Sequence, residues 1–184
     1  MSKLIVDVSY HNGVIDWNKV KAAGIQGAII RCGFGDNIAS QDDKQFKRNA
    51  DECTRLGIPW GVYIYSYAKT TTQAKSEAAH ALRLVAPYKG KMSYPIYYDL
   101  EQRGTESVAV QNGIVFGDII EAAGYWCGIY SGQYWYQKYI GNRLDRFTKW
   151  VARYSSQKPV GISGSYDMWQ YSSSGRGGCD GEGY

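Results

Sequence analysis

Short runs of hydrophobic residues recur along the chain and alternate with longer amphipathic segments. The runs are rich in Val, Ile and Tyr, which is typical of strands. Seven strands are predicted, at residues 3–10, 27–33, 61–67, 95–101, 126–131, 149–154 and 168–172. Because residues i and i+2 of a strand point to the same side, each run also predicts which side chains share a face.

Between the strands, apolar side chains recur three or four residues apart, as on a helix with one buried face. Helices are predicted after Asp16, at 42–56, after the capping-box residues Thr70 and Gln73, around 108–122 and at 134–140. In the second of these, Phe46, Ala50 and Cys53 form the apolar face. Gly113 and Gly117 weaken the prediction of a helix around 108–122, because glycine destabilises a helix interior.

Three of these helices end near a glycine and lead directly into a strand, which predicts an α/β fold with a parallel sheet. A (β/α)8-type barrel is the favoured architecture, with an eighth strand in the last residues, and an open doubly wound sheet is the alternative. Such barrels typically need ~250 residues, so a chain of 184 residues predicts a shortened version. We treat residues 1–184 as one domain. The glycine-rich segment 175–184 is either a ragged closing strand or the start of a linker.

The chain contains 17 Tyr and 6 Trp, more than a core requires. Such rings pack on the apolar faces of sugars while their polar tips bond hydroxyl groups; half-buried strand tyrosines are the alternative for many of them. The net charge is only +4 and no Lys/Arg run is present, so we expect no nucleic-acid partner. A small positive charge favours an anionic surface such as a bacterial wall.

The two His and four widely spaced Cys do not match zinc-binding patterns, so we expect no metal and no cofactor. No segment has the pattern of a signal peptide or of a membrane span. We therefore expect synthesis in the cytoplasm, free thiols with one disulfide as the alternative, and no membrane insertion.

Asp99 and Glu101 lie at the end of the fourth predicted strand, and their i, i+2 spacing places both carboxyl groups on one side. Active sites of parallel barrels lie at that end of the strands. Two like charges in an aromatic cleft push one pKa upward, so one group can donate a proton while the other stays ionised, as glycoside hydrolysis requires. A solvated pair that caps the next helix is the alternative.

Asp7 is the third candidate, because a charge that follows three apolar residues in a buried strand needs a function or a partner. Arg31 is the structural partner that the sequence offers. The other polar residues near predicted element ends are given ordinary interpretations: Asp16, Asp42 and Asp43 as helix-start residues, His80 as a surface residue and His11 as an incidental loop residue.

Eight sequence segments together resemble the Chalaropsis-type lysozymes, glycoside hydrolase family 25, a family that includes phage endolysins. They occur in order across residues 4–173: DVSYHNG at 7–13, IDW at 15–17, IRCGFG at 30–35, GVYIYSY at 61–67, YPIYYDLE at 94–101, GIYS at 128–131, WVARY at 150–154 and WQYS at 169–172. Each segment is weak by itself, and the ordered set of eight is specific.

The resemblance implies an irregular TIM-like (β/α) barrel with fewer helices than strands. It also implies an N-acetylmuramidase that cleaves the β-1,4 bond between N-acetylmuramic acid and N-acetylglucosamine in bacterial cell-wall peptidoglycan. By analogy with the family, Glu101 is the proton donor, Asp99 orients the substrate's attacking 2-acetamido group, and Asp7 supports that arrangement. Direct attack by Asp99 is the competing mechanism. The residues predicted to contact sugar are Tyr65, Tyr67, Tyr130 and Trp169.

The resemblance departs from the family at the C-terminal end, where a closing strand usually carries another acidic residue. Asp180 is the candidate equivalent, although its flanking residues fit poorly. Members of the family often carry separate wall-binding modules, so such a module beyond this chain is an expectation. An endo-N-acetylglucosaminidase or chitinase-like hydrolase and a non-catalytic glycan-binding module are the alternative functions.

Overall fold

The computed structural model describes residues 3–173, which form a seven-stranded, entirely parallel sheet with the strands in sequence order. The strands are β1 (Ile5–Val8), β2 (Gly27–Phe34), β3 (Trp60–Tyr65), β4 (Ile96–Asp99), β5 (Cys127–Gly132), β6 (Thr148–Ala152) and β7 (Met168–Gln170). The sheet curls into a half-barrel, and a hydrogen bond from Gln170 on β7 to Asp7 on β1 joins its first and last strands. The parallel α/β prediction is confirmed, whereas Asp180 and the predicted eighth strand lie outside the described residues.

The described residues contain five helices, the three longest of which contact the strands directly. The five are α1 (Trp17–Ala22), α2 (Phe46–Leu56), α3 (Thr71–Val85), α4 (Ala109–Ala122) and α5 (Gln133–Trp135), the last continued by a π-helical turn at Tyr136–Ile140. Short 3-10 turns lie at Tyr10–Asn12, Ala39–Gln41 and Ala86–Tyr88. Within residues 3–173, no helix is long and apolar enough to cross a membrane.

The core has two parts because neighbouring strand residues face opposite sides of the sheet. Tyr97 belongs to the inner cluster, which also contains Ile29, Tyr130 and Trp150. Tyr98 faces the helices instead, where its ring stacks on Phe116 of α4 at a centroid distance of 4.0 Å. The consecutive tyrosines of β4 therefore fill both layers.

Side-chain caps begin two of the helices where the sequence predicts them. Asp16 accepts hydrogen bonds from the backbone N–H groups of Asn18 and Lys19 at the start of α1. Thr70 accepts from the N–H of Gln73 at 3.3 Å. The carboxamide of Gln73 accepts from Lys69 rather than from Thr70 itself, so the reciprocal half of the capping box is displaced by one residue.

The helix predicted at 42–56 begins only at Phe46, because tertiary contacts use the preceding acidic residues. Asp42 forms an ion pair with Arg83 and a hydrogen bond with His80 Nε2 at 2.8 Å. The interpretation of Asp42 as a helix-start residue is therefore wrong. Asp43 is buried and accepts from Arg31 Nε at 2.9 Å, although its other oxygen still accepts from Gln45 N just before α2.

The prediction that His80 lies on the surface is wrong. Its side chain on α3 is fully buried, and Nδ1 lies 3.0 Å from the carbonyl oxygen of Gly35. A buried imidazole needs partners for both nitrogens, and the long loop after β2 supplies both. The helical pattern alone could not reveal that this loop covers the polar side of α3.

Gly113 and Gly117 lie inside α4 without interrupting it, and tertiary packing explains both. A Cβ atom at Gly117 would lie 2.2 Å from Cζ of Phe147, and one at Gly113 would lie 2.9 Å from Leu144 Cδ1. These glycines let the segment after the π-helical turn pack directly on the helix backbone. Contact across the helix surface therefore outweighs the low helix propensity of glycine.

Candidate active site

A cavity of about 270 Å³ opens at the carboxyl ends of the parallel strands. Three of its lining residues are acidic: Asp7, Asp99 and Glu101. Its walls are largely aromatic, formed by Tyr63, Tyr65, Tyr130, Trp150 and Tyr154. The three carboxyl groups singled out in the described part of the sequence therefore share one pocket at the expected end of the sheet.

Asp99 is the last residue of β4 and is only 3% exposed. Its Oδ1 atom is buried and has no hydrogen-bond partner among the described residues. Burial raises the pKa of Asp99 well above its usual value, and the nearby Glu101 and Asp7 carboxyls raise it further, while Arg31 opposes the shift. The unpaired oxygen is therefore an acceptor that would gain from a hydrogen-bond donor.

Glu101 lies two residues beyond the end of β4, where the backbone is firmly anchored. Leu100 N donates to Tyr130 O at 2.9 Å, and Ser131 Oγ donates to Leu100 O. The residue as a whole is exposed, yet the protein around its carboxyl removes enough water to raise the pKa of Glu101. It is thus the most accessible of the three acids and is inclined to hold a proton.

Asp7 projects into the same pocket from the middle of β1. Burial raises its pKa from 3.8 to about 7, and a hydrogen bond from Gln170 is the largest effect in the opposite direction. Gln170 Nε2 donates to Asp7 Oδ2 at 2.7 Å. The expected partner Arg31 instead directs Nε to Asp43 and acts on Asp7 only through longer-range charge interaction. Gln170, rather than Arg31, therefore forms the hydrogen bond with Asp7.

The structure places two of the four aromatic residues predicted to contact sugar in this pocket. Tyr65 lines it and donates to Gln102 Oε1 at 3.1 Å. Tyr130 is 6% exposed and packs on Trp150 at a centroid distance of 4.5 Å. Tyr67 lies outside the lining but is 47% exposed and contacts the Tyr65 ring at 5.0 Å. It therefore stands at the rim.

Trp169 does not line the acidic pocket. It lines a second cavity of about 670 Å³ that adjoins this pocket, since both contain Asp7, Trp150 and Gln170 in their linings. Its indole N–H donates to Arg153 O at 2.8 Å. Neighbouring residues of a strand face opposite sides, so it is Gln170 that reaches Asp7. Tyr63 and Tyr154 also line the acidic pocket, although the sequence did not single them out. Tyr63 lies two residues before Tyr65 on β3 and so faces the same side, whereas Tyr154 follows the end of β6.

Within residues 3–173, no group of three or more His, Cys, Asp or Glu side chains is arranged to hold a metal ion. Cys32, Cys53 and Cys127 are buried free thiols, and burial raises their pKa values. Cys179 lies outside the described residues. The ionisable groups that line the pocket are three carboxyls, several phenols, the Arg31 guanidinium and the His11 imidazole.

Residues 6–178 match glycosyl hydrolases family 25. The autolytic lysozyme of Clostridium acetobutylicum is 25% identical over 170 residues, which cover 92% of this chain and 50% of that protein. The modular autolysin LytC of Streptococcus pneumoniae, whose structure contains a synthetic peptidoglycan ligand, is 32% identical with a TM-score of 0.81, covering 97% of this chain and 44% of LytC. The catalytic domain of endolysin ply40 from bacteriophage P40 of Listeria monocytogenes is 25% identical, with a TM-score of 0.80. The match covers 96% of this chain and 87% of that domain's chain. The chain thus spans half or less of the first two proteins.

Proposed function

Since the chain belongs to glycosyl hydrolases family 25, we propose that it is a lysozyme-type catalytic domain. It hydrolyses the β-1,4 bond between N-acetylmuramic acid and N-acetylglucosamine in bacterial peptidoglycan. The names of its relatives support this activity, since they include an autolytic lysozyme and an autolysin with a peptidoglycan ligand. The similarity to a phage endolysin supports a role in lysis of the bacterial cell wall.

The observation that carries the proposal is the meeting of Asp7, Asp99 and Glu101 in one aromatic-walled pocket. Glycoside hydrolysis needs an acid that protonates the leaving oxygen and a negative group near the developing oxocarbenium ion. Burial raises the pKa values of all three carboxyls, and repulsion from neighbouring carboxyls adds to the rise at Asp7 and Asp99. They therefore supply a proton near neutral pH together with a partner that can ionise.

We assign the proton donor role to Glu101 because it is the accessible acid of the three. Its proton passes to the glycosidic oxygen as the bond to the anomeric carbon breaks. The oxygen of the substrate's 2-acetamido group attacks that carbon from the opposite side, and Asp99 accepts a hydrogen bond from the acetamido N–H through its unpaired Oδ1. Water, deprotonated by the Glu101 carboxylate, then opens the cyclic intermediate with net retention. Asp7 supports the charge of this arrangement.

Direct attack by Asp99 on the anomeric carbon is the competing retaining mechanism. The deep position of Asp99, at 3% exposure, favours its role as a hydrogen-bond acceptor for the substrate over a nucleophile that must reach the sugar ring. Substrates with a 2-hydroxyl in place of the acetamido group distinguish the two, since only direct attack by Asp99 would retain activity on them.

The remaining expectations for the site are part of the same proposal. Tyr65 and Tyr130 contact the sugar inside the pocket, and Tyr67 extends the contact at its rim. Trp169 lies in the second cavity and is not part of the proposed sugar subsite. Asp180, outside the described residues, remains the proposed fourth acid. The half-barrel is proposed to be part of an irregular TIM-like barrel, and wall-binding modules are proposed to act with it.

Digestion of purified peptidoglycan tests the proposal. Wild-type protein should clear a wall suspension and release fragments whose new reducing ends are N-acetylmuramic acid. Glu101→Gln should lower the rate by at least about a hundredfold while wall binding in a sedimentation assay is unchanged. Glu121→Gln, which alters an exposed carboxyl on α4, is the matched control and should keep full activity.

Reducing ends of N-acetylglucosamine would instead identify an endo-N-acetylglucosaminidase. Wall binding by the wild-type protein without any new reducing ends would identify a glycan-binding module. Either result would refute the muramidase proposal.

A further inference from the structure

Gln170, the last residue of β7, is buried at 7% exposure where the curled sheet brings β7 against β1. Its carboxamide has a partner on each side. Oε1 accepts hydrogen bonds from Tyr130 OH at 2.7 Å and Tyr154 OH at 3.2 Å, and Nε2 donates to Asp7 Oδ2 at 2.7 Å. The side chain therefore connects two pocket tyrosines to one of the three pocket acids.

The chemistry of this chain of hydrogen bonds gives it a direction. Each phenol has one proton to donate, and both hydroxyls lie against the carboxamide oxygen. With Oε1 occupied by Tyr130 and Tyr154, the NH₂ group must face Asp7. Once Asp7 is ionised, a reversed carboxamide would place its oxygen against a carboxylate oxygen, and two acceptors in contact inside the protein are costly. The two tyrosines thus keep a hydrogen-bond donor pointed at Asp7.

We propose that Gln170 is a positioning residue that holds Asp7 as a hydrogen-bond-accepting carboxylate and thereby sets the acidic limit of the enzyme's pH range. This inference rests on the proposed function, because it assigns a consequence for hydrolysis to the ionisation of Asp7. Gln170 itself touches no reacting atom in this scheme and acts through the carboxyl group that it holds.

The surroundings of Asp7 show why a neutral donor matters at this position. Groups from six other parts of the fold line its pocket: Arg31 on β2, Tyr63 on β3, Asp99 and Glu101 at the end of β4, Tyr130 on β5, Tyr154 after β6 and His11 after β1. The two other acids are like charges that oppose ionisation of Asp7. Arg31 favours ionisation but directs its Nε to Asp43. Gln170 Nε2 donates to Asp7 Oδ2 at 2.7 Å, and this hydrogen bond lowers the pKa of Asp7 more than Arg31 or the Tyr63 hydroxyl does.

Gln170→Glu tests the proposal with the smallest change in shape. The variant removes the donor and places a second carboxyl against Asp7, so the pair must share a proton. The acidic limb of the pH profile of kcat/KM on soluble peptidoglycan fragments should shift to higher pH by about one to two pH units. Activity at alkaline pH should recover toward the wild-type level. Gln157→Glu, an exposed position, is the matched control and should leave the profile unchanged.

A second measurement does not depend on catalysis. The Asp7 carboxyl carbon, followed by ¹³C NMR across pH, should titrate at higher pH in Gln170→Glu than in the wild type. The double variant Tyr130→Phe/Tyr154→Phe keeps Gln170 but frees its carboxamide to turn, and it should shift the Asp7 titration in the same direction by a smaller amount. This variant carries the test if Gln170→Glu does not fold.

An unmoved pH profile and an unmoved Asp7 titration in the folded variants would overturn the proposal, and Gln170 would then only join two strands. A uniform loss of kcat at all pH values without a shift would have the same meaning. Lack of wall hydrolysis by the wild type would refute the proposed function instead, while the NMR titration would still decide the role of Gln170.

Discussion

Replacing Asp7 by asparagine should stabilise the protein above pH 7 and leave its stability nearly unchanged at pH 4. Burial raises the pKa of Asp7 from 3.8 to about 7. The folded chain therefore keeps a proton that the unfolded chain releases between these two values. Below pH 4 the protonated Asp7 makes its full contribution to stability. This contribution is lost as the pH rises through the folded-state pKa, because the ionised carboxylate is poorly solvated in its buried position.

The magnitude follows from that pKa difference. Between pH 4 and 7 the wild type should lose about 1.4 kcal/mol of unfolding free energy per pH unit from this group, or roughly 4 kcal/mol in all. Asparagine has no such titration and still offers Oδ1 to Gln170. It loses the carboxylate oxygen that interacts with Tyr63, which offsets part of the gain. We expect the variant to be more stable than the wild type by about 2–4 kcal/mol at pH 8.

Urea unfolding followed by tryptophan fluorescence at each pH unit from 4 to 8 measures this difference, with equal m-values as the test of two-state behaviour. Asp51→Asn is the matched control of opposite sign. The hydrogen-bonded ammonium of Lys47 lowers the pKa of Asp51 below its ordinary value of 3.8, so that variant should be less stable than the wild type across this whole pH range, and the difference should shrink only at more acidic pH. Asp7→Asn with wild-type stability at pH 8 would refute the desolvation argument.

Two further substitutions test the packing and the buried polar groups that support the site. Gly117→Ala should destabilise the protein by about 1–3 kcal/mol in urea unfolding, because the new methyl group would collide with Phe147. The better helix propensity of alanine acts in the opposite direction, so a gain in stability would contradict the packing explanation. Glu77→Ala should cost roughly 2–4 kcal/mol in the same urea assay, since the buried carboxylate accepts from Ser66 Oγ, Tyr98 OH and Tyr67 N. Its loss leaves the two hydroxyls bonded to each other and the Tyr67 N–H without this acceptor. Tyr98→Phe, which removes one donor only, should cost about 1 kcal/mol, and equal effects of the two variants would argue against the network.

Much of the fold was predictable because strand and helix periodicity are local properties. All seven predicted strands are present, and the glycine that ends α2 is Gly57, with φ 65°. The errors fall where a distant segment supplies the partner. Asp42 and His80 meet across 38 residues of sequence, and neither residue's local pattern reveals the other.

The candidate site divides in the same way. The spacing of Asp99 and Glu101 and the position of Asp7 after an apolar run predicted three pocket acids, since the alternation of a strand fixes which way each side chain points. Gln170 lies in the WQYS segment at 169–172, but its local pattern predicts no role for it. Its importance depends on contact with Asp7, 163 residues earlier in the chain, which no local pattern encodes.

The sequence alone determined the order of the strands and helices, the side of the sheet on which each strand residue lies, and the carboxyl groups at the strand ends, because backbone geometry and side-chain alternation act over a few residues. Tertiary structure alone decided which partners those carboxyls meet, how strongly burial raises their pKa values, and why α4 contains glycines. Desolvation and close packing depend on atoms that the curled sheet and its covering loops bring together from distant parts of the chain.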